Sequence, residues 1–366
     1  VNVCGSLFSG IGGLDLGLHR AGWQHAWFCE SDPYRQAVLR ARFPGVPVHD
    51  DVARLPDERQ QPGLGLQRPD LLCGGFPCQD VSVAGRRAGL NGERSGLFHE
   101  YARIAATLRP RWLLLENVPG LLSSQSGRDF GVMLATLAQL GYGLAWRTLD
   151  SRYFGVPQRR RRVFIIGARA DRDPRAAAER AGQVLAVGTR CPGHPPQGRA
   201  AGPDTAVASL SGLGTGGPDD NDAQGRYGKG TDSDATDTFV AFHATQDPIH
   251  GPVSPALGAN ASIGVSTPVG VRRLTPTECE RLQALPDGWT QLGGTPDSRR
   301  YAAFGDAVTV TVAHWIGERL LQAAARDRWG GQTPAGKSPP PGPEPRPFEA
   351  SEKLTRLLRE ARYRRR

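Results

Sequence analysis

The chain has one methionine and only three lysines, at 229, 337 and 353, yet it carries 45 basic residues against 36 acidic ones. Its positive charge, a formal +9, is therefore almost wholly arginine. Clustered guanidinium groups neutralise phosphates, which suggests a polyanionic partner, although a GC-rich genome would produce the same arginine bias without one. The six cysteines, at 4, 29, 73, 78, 191 and 279, include no C-x-x-C pair and share no spacing. That argues against a zinc site or a disulfide framework, so free thiols in a reducing compartment and no metal are expected. Long apolar runs are also missing. The longest, "RWLLLENV" and "RVFIIGA", fall far short of the roughly 20 residues of a membrane span, and no signal-peptide pattern opens the sequence. A soluble cytoplasmic protein with no membrane partner is the expectation.

At 366 residues the chain is long enough for two domains. Up to residue 169, short apolar runs alternate with helical patterns, the signature of an α/β doubly wound, mostly parallel sheet with helices on both faces. Strands are expected near 1–8, 25–30, 46–49, 69–73, 111–116, 142–149 and 162–168, and helices over 14–21, 33–42, 98–108 and 129–140. From 170 to 270 Gly, Pro, Asp, Ser and Thr take over and helical periodicity is absent. Only "ASLSGLGTGG" and "SPALGANASIG" suggest strand-and-turn elements there. Helical signals return over 271–328, where Thr275 and Glu278 form a capping box with Pro276 at the first helical position. Residues 329–366 read as a proline-rich linker and a basic amphipathic tail, more simply a solvated terminus than a DNA-anchoring arm.

The chemistry lies where strands end and begin. After the first strand, Gly10, Gly12 and Gly13 make a tight turn into a helix, but Asp15 stands where a dinucleotide site wants a small residue, which weakens a nicotinamide reading. Glu30, after the second strand, suits ribose hydroxyls, and Asp51, after the third, suits an adenine amino group. Two acids and no phosphate-binding group fit S-adenosyl-L-methionine (AdoMet), a nucleoside with a cationic sulfonium. The fourth strand delivers "GGFPCQD" to the carboxyl edge, where open α/β sheets place their ligands. A cysteine is usually a small buried hydrophobe. That reading fits Cys73, inside the apolar strand, whereas Cys78 follows glycines and a proline that lift it to the edge. The fifth strand ends in Glu116. In "PQRRRRVFII" a period of two puts Gln158, Arg160 and Arg162 on one face and Arg159 and Arg161 on the other, the latter two read as a solvated basic turn. A thiol, a carboxyl and a guanidinium can thus converge on one planar heterocycle, with positive charge raising the thiolate fraction.

The ordered series "FSGIGG", "GGFPCQ", "RSGLF", "ENV", "QRRRR", "RRLTPTECERLQALPDGW" and "FGDAVTV" resembles the motifs of the DNA (cytosine-5)-methyltransferase family, prokaryotic or phage type, from residue 3 to about 322. The resemblance implies an AdoMet-dependent methyltransferase (Rossmann-like) fold in 1–169 and 271–328, with 170–270 as the target-recognition domain. It implies a monomer that methylates carbon 5 of cytosine in double-stranded DNA, leaving S-adenosyl-L-homocysteine, in restriction-modification or in phage or host DNA protection. Cys78 would be the nucleophile, with Glu116, Arg162 and a supporting Arg160 around a flipped-out base. The cofactor residues implied are Phe8, Ser9, Gly10, Gly12, Gly13, Glu30, Ser31, Asp51, Val52, Pro77, Leu97, Asp306 and Ala307. Gln79, Ser82 and Arg86 would belong to a loop that closes over the DNA. The chain departs from the family at Asp306, where an asparagine is usual, and at Ser31, where an apolar residue often faces the adenine; both bear on cofactor affinity rather than on the reaction. Two rival readings are a catalytically silent DNA-binding homologue, which would be expected to lose Cys78, and a tRNA cytosine methyltransferase, whose "CFT" element is missing here.

Overall fold

A computed structural model describes residues 2–55, 66–76, 96–170, 173–186, 240–243, 257, 263–267 and 270–328. Its main sheet contains β1 (Val3–Leu7), β2 (Gln24–Cys29), β3 (Val48–His49), β4 (Leu71–Gly74), β5 (Trp112–Asn117), β6 (Tyr142–Asp150) and β7 (Arg161–Arg169). Their order across the sheet is β3-β2-β1-β4-β5-β7-β6. Strands β1 to β5 pair in parallel, and β7 lies antiparallel to both β5 and β6. All six residues of β5 and all four of β4 are buried, which is why these strands read as unbroken apolar runs rather than as alternating ones. Strand order reverses between β1 and β4, and the carboxyl edge at that reversal is the expected ligand crevice.

Helices α1 (Gly13–Ala21), α2 (Pro33–Arg42), α3 (Gly96–Leu108) and α4 (Arg128–Gln139) connect the strands. Helix α2 starts at Asp32, whose carboxylate accepts from the Arg35 N–H at 2.9 Å, with Pro33 in the first turn, the expected cap chemistry. One core lies between α3, α4 and one face of the sheet, centred on Phe98, Tyr101, Leu115 and Ile165. The opposite face is covered by α1 and by α5 (Pro174–Leu185), with Leu114, Phe164 and Ile166 at its centre.

Helix α5 corrects the expectation that helical periodicity is absent after residue 169. Asp173 caps it and Pro174 follows, the same start signal as in α2. Its buried face is Ala177, Ala181, Val184 and Leu185, and this mostly small face packs on the sheet where Gly143 has no side chain: a Cβ there would lie 2.2 Å from the Ala178 nitrogen.

The chain then returns through α6 (Pro276–Leu282), α7 (Asp297–Asp306) and α8 (Val310–Arg328). Thr275 and Glu278 form the expected capping box at the start of α6. Strands β8 (Val240–His243), β9 (Ile263–Thr267) and β10 (Gly270–Arg273) form a separate antiparallel sheet in the order β10-β9-β8. The rest of the 170–270 segment, including both suggested strand-and-turn stretches apart from Leu257 and the start of β9, lies outside the described residues, as does the tail from 329 onward. No described helix is long and apolar enough to cross a membrane.

Candidate active site

The turn after β1 is shaped by three left-handed residues: Phe8 at φ 54°, Gly10 at 58° and Gly12 at 78°. Such φ values suit glycine and strain a residue with a side chain, so Phe8 is held there by its surroundings. Ser9 helps, its N–H donating to Cys29 O at 3.2 Å and its hydroxyl meeting that of Ser6 at 2.9 Å. Space above Gly10 is open. Glu30 is buried, and its two oxygens accept from the N–H groups of Gly10 at 2.7 Å and Asp32 at 2.9 Å. A carboxylate has about four acceptor sites, which leaves capacity for hydroxyl donors. Asp51, at the end of the neighbouring β3, caps the short turn over Val52–Arg54 by accepting from Ala53 N–H. Val52 is buried, Leu97 packs against the core and Ser31 is exposed.

The return segment meets this turn from the other side. A Cβ on Gly13 would lie 2.4 Å from the Val308 carbonyl oxygen, so the start of α1 and the 306–310 segment touch backbone to backbone. Ala307 is buried beside that contact. Asp306 meets Arg35 of α2, Nη2 to Oδ2, at 2.5 Å. Burial works against the Arg35 charge, yet Asp306, Glu30 and Asp32 together raise its pKa above the ordinary arginine value. The Asp306 carboxylate thus has its own counter-ion. Nothing in the sequence marks Arg35, or Gln36, whose amide donates to Glu30 O at 2.7 Å; the only hint is that a carboxylate at 306 needs a counter-ion.

Glu116 ends β5 almost wholly buried, with Arg162 Nε 3.0 Å from Oε1. Burial pushes its pKa up, and Arg162 and Arg160 offset only part of that rise. Strand pairing explains the encounter: Glu116 stands opposite Phe164 and Asn117 opposite Val163, which brings the start of β7 to the end of β5. Arg160 is 1% exposed and donates to Gly305 O at 2.7 Å and Leu257 O at 3.3 Å. Burial, with Arg162 adding to it, lowers its pKa to about 9, so it remains cationic at neutral pH and ties β7 to the return segment. Gln158 is fully buried, and neither amide atom has a hydrogen-bond partner among the described residues.

The "GGF" turn leads straight to this carboxyl. A Cβ on Gly75 would fall 2.7 Å from Glu116 Oε2, so only glycine leaves the carboxyl uncovered. Phe76 is buried against Phe98, and its carbonyl accepts from the Asn117 amide at 3.2 Å. Pro77, Cys78, Gln79, Ser82 and Arg86 lie outside the described residues. The described cysteines, Cys4, Cys29, Cys73 and Cys279, are buried free thiols. Burial, foremost, raises the pKa of all four, to about 12 at Cys29 and Cys279, which leaves them little thiolate with which to act as nucleophiles.

A family described as C-5 cytosine-specific DNA methylase matches residues 3–188 and 220–322 of the chain. The chain is similar to Type II methyltransferase M2.BsuMI of Bacillus subtilis, with 33% identity over 87% of this chain and 75% of that protein. It is also similar to a DNA N-6-adenine-methyltransferase of Escherichia phage P1, with 28% identity over 92% of this chain and 63% of the phage protein. Among solved structures, a mutant of Spodoptera frugiperda DNMT2 superposes with a TM-score of 0.57 at 16% identity, over 88% of this chain and 99% of that one.

Proposed function

Because the chain belongs to the C-5 cytosine-specific DNA methylase family, we propose that it methylates carbon 5 of a cytosine flipped out of double-stranded DNA, with Cys78 as nucleophile. The observation that carries this reading is the buried Glu116–Arg162 pair at the carboxyl edge, uncovered by Gly75 and reached by the turn that leads into Cys78.

Carbon 5 of cytosine is a weak nucleophile. The Cys78 thiolate would form a bond to carbon 6, pushing an electron pair towards carbon 5. Glu116, protonated more readily than an ordinary carboxyl, would donate to ring nitrogen 3 and accept from the exocyclic amine, neutralising the charge that develops on the ring. Arg162 would hold the carbonyl oxygen at position 2. Arg160 acts as a positioning residue through Gly305 and Leu257. After transfer the carbon-5 proton would pass to a base such as water, and the electrons left behind would expel Cys78 as thiolate. The loop carrying Gln79, Ser82 and Arg86 would close over the extruded base.

AdoMet, when bound, supplies an electrophilic methyl group. The edge of β1 to β3 fits it: a glycine turn with open space at Gly10, two acids at Glu30 and Asp51, and Arg35 already paired with Asp306 rather than turned to a phosphate. Phe8, Ser9, Gly12, Gly13, Ser31, Val52, Pro77, Leu97, Asp306 and Ala307 would complete the contact. The type II relative supports a role in restriction-modification, or in phage or host DNA protection.

The phage relative is named for adenine methylation, and an exocyclic amine needs no thiol to activate it, so a nucleophilic Cys78 favours cytosine. Incubating the protein with labelled AdoMet and either DNA or tRNA, then mapping the modified base, decides the matter: 5-methylcytosine in DNA is expected. Label on adenine, on tRNA alone, or on neither nucleic acid would overturn the proposal. The Cys78→Ser variant is expected to form no covalent adduct with DNA containing 5-fluorocytosine, and an adduct that persists would mean a different nucleophile.

A further inference from the structure

The sequence offers four consecutive arginines, and the inward pair, Arg160 and Arg162, is absorbed by the site above. The outward pair is not. Arg159 and Arg161 are both exposed, and neither side chain has a hydrogen-bond or ion-pair partner among the described residues. They border a cavity of about 280 Å³ at the outer edge of the sheet, together with Arg147, Arg152, Asp150 and Tyr153. Four arginines thus line the cavity beside one carboxylate, and one of them, Arg147, donates to Leu185 O at 3.0 Å. That carboxylate is already engaged, with Asp150 Oδ2 3.3 Å from Arg152 Nε and Oδ1 capping the Arg152 N–H. Arg152 is held in place by Tyr153, its guanidinium 4.6 Å from the ring centroid and Nη2 2.7 Å from the phenol oxygen. Like charges gathered around a cavity repel one another, and an anion seated there relieves that repulsion.

The cavity's position narrows the kind of anion. Strand β6 is the edge of the sheet, and its last two residues pair Leu149 with Arg162 and Asp150 with Arg161. Arg162 turns to Glu116, while Arg161, the adjacent residue, turns to the cavity. Two neighbouring Cα atoms, about 3.8 Å apart, therefore serve the base pocket on one side and the cationic groove on the other. A nucleotide whose base enters the pocket must bring its backbone past the pocket rim.

We propose that Arg159 and Arg161, backed by Arg152, bind the phosphodiester backbone of the substrate DNA beside the flipped nucleotide. The proposal rests on the DNA-methylating function above. Guanidinium forks match phosphate oxygens bidentately, and the groove supplies them on the rim of the site rather than on a remote face.

The test is equilibrium binding of the full chain to a duplex carrying the mapped methylation site, across a series of salt concentrations. Replacing both residues, Arg159→Gln with Arg161→Gln, is expected to weaken binding and to lower the slope of log affinity against log salt by roughly 2, about one for each lost phosphate contact. The double lysine replacement should keep most of the slope. Arg175→Gln serves as control, because Arg175 is an exposed α5 residue paired with Glu179; it should leave the slope unchanged. AdoMet binding without DNA checks that each variant is folded. A folded glutamine variant with an unchanged slope overturns the proposal, and so does an equal loss in the Arg175 control, which would reduce the effect to net charge. Failure of the unaltered protein to bind any duplex would overturn instead the function on which the proposal rests.

Discussion

Burial and the Arg162 guanidinium pull Glu116 in opposite directions, and burial wins. The carboxyl therefore keeps its proton to a higher pH than an exposed glutamate would. If donation of that proton to ring nitrogen 3 is required, single-turnover methyl transfer falls as pH rises through the raised Glu116 pKa, while the Cys78 thiolate requirement gives a second limb that rises with pH. Glu116→Gln is expected to slow transfer by about 10²- to 10⁴-fold, the usual contribution of a positioned acid, and to abolish the falling limb. A falling limb that survives the substitution would assign it to another group. The Asp306 departure is resolved at the same scale. In the sequence Asp306 is a carboxylate with no evident partner, whereas the fold sets Arg35 against it at 2.5 Å. With Asp306 60% exposed, the pair contributes only about 0.5 kcal/mol to stability, so its main effect is to neutralise the pocket wall.

Helix α1 shows what an element gains from lacking side chains. Gly13 and Gly17 let it meet the return segment: a Cβ on Gly17 would come 2.4 Å from the Ala313 Cβ, and one on Gly13 would come 2.4 Å from the Val308 carbonyl. On the partner helix, Gly317 makes room for Ala21 and accepts the Trp23 indole N–H at 3.1 Å. In an isolated helix, glycine to alanine would stabilise by about 1 kcal/mol. Here Gly13→Ala is expected to destabilise by about 1–3 kcal/mol, as overpacking does, and to weaken AdoMet binding by pushing the 306–310 segment away. Urea denaturation and calorimetric titration check both effects, and a more stable variant with full cofactor affinity would show that the two segments are not in close contact. Helix α5 teaches the converse lesson about legibility. Its Asp-Pro start was readable, but an alanine-rich buried face carries little hydrophobic periodicity, so the helix disappears into a Gly- and Pro-rich stretch when composition alone is weighed.

At the scale of the whole molecule, the proposed cofactor pocket joins segments nearly 300 residues apart, with Glu30 and Gly10 on one side and Asp306 and Ala307 on the other. A ligand that binds only the folded state stabilises it by mass action, by about 2.7 kcal/mol at a hundredfold excess over Kd. AdoMet is therefore expected to raise the Tm by several degrees, and a thermal scan showing no shift would sink the cofactor assignment. The order of strands and helices up to residue 168 is legible along the chain, because fully buried parallel strands and capped helices leave strong local patterns; observed boundaries lie within a few residues of those expected. So are the acids at the carboxyl edge, Glu30, Asp51 and Glu116, because strand ends are local features. Packing in three dimensions alone sets β7 between β5 and β6, brings Glu116 to Arg162 and Arg35 to Asp306, and opens Arg159 and Arg161 onto a groove rather than a uniform solvated turn. These placements are set by sheet register and by which side chains are absent, and neither leaves a periodic trace along the chain.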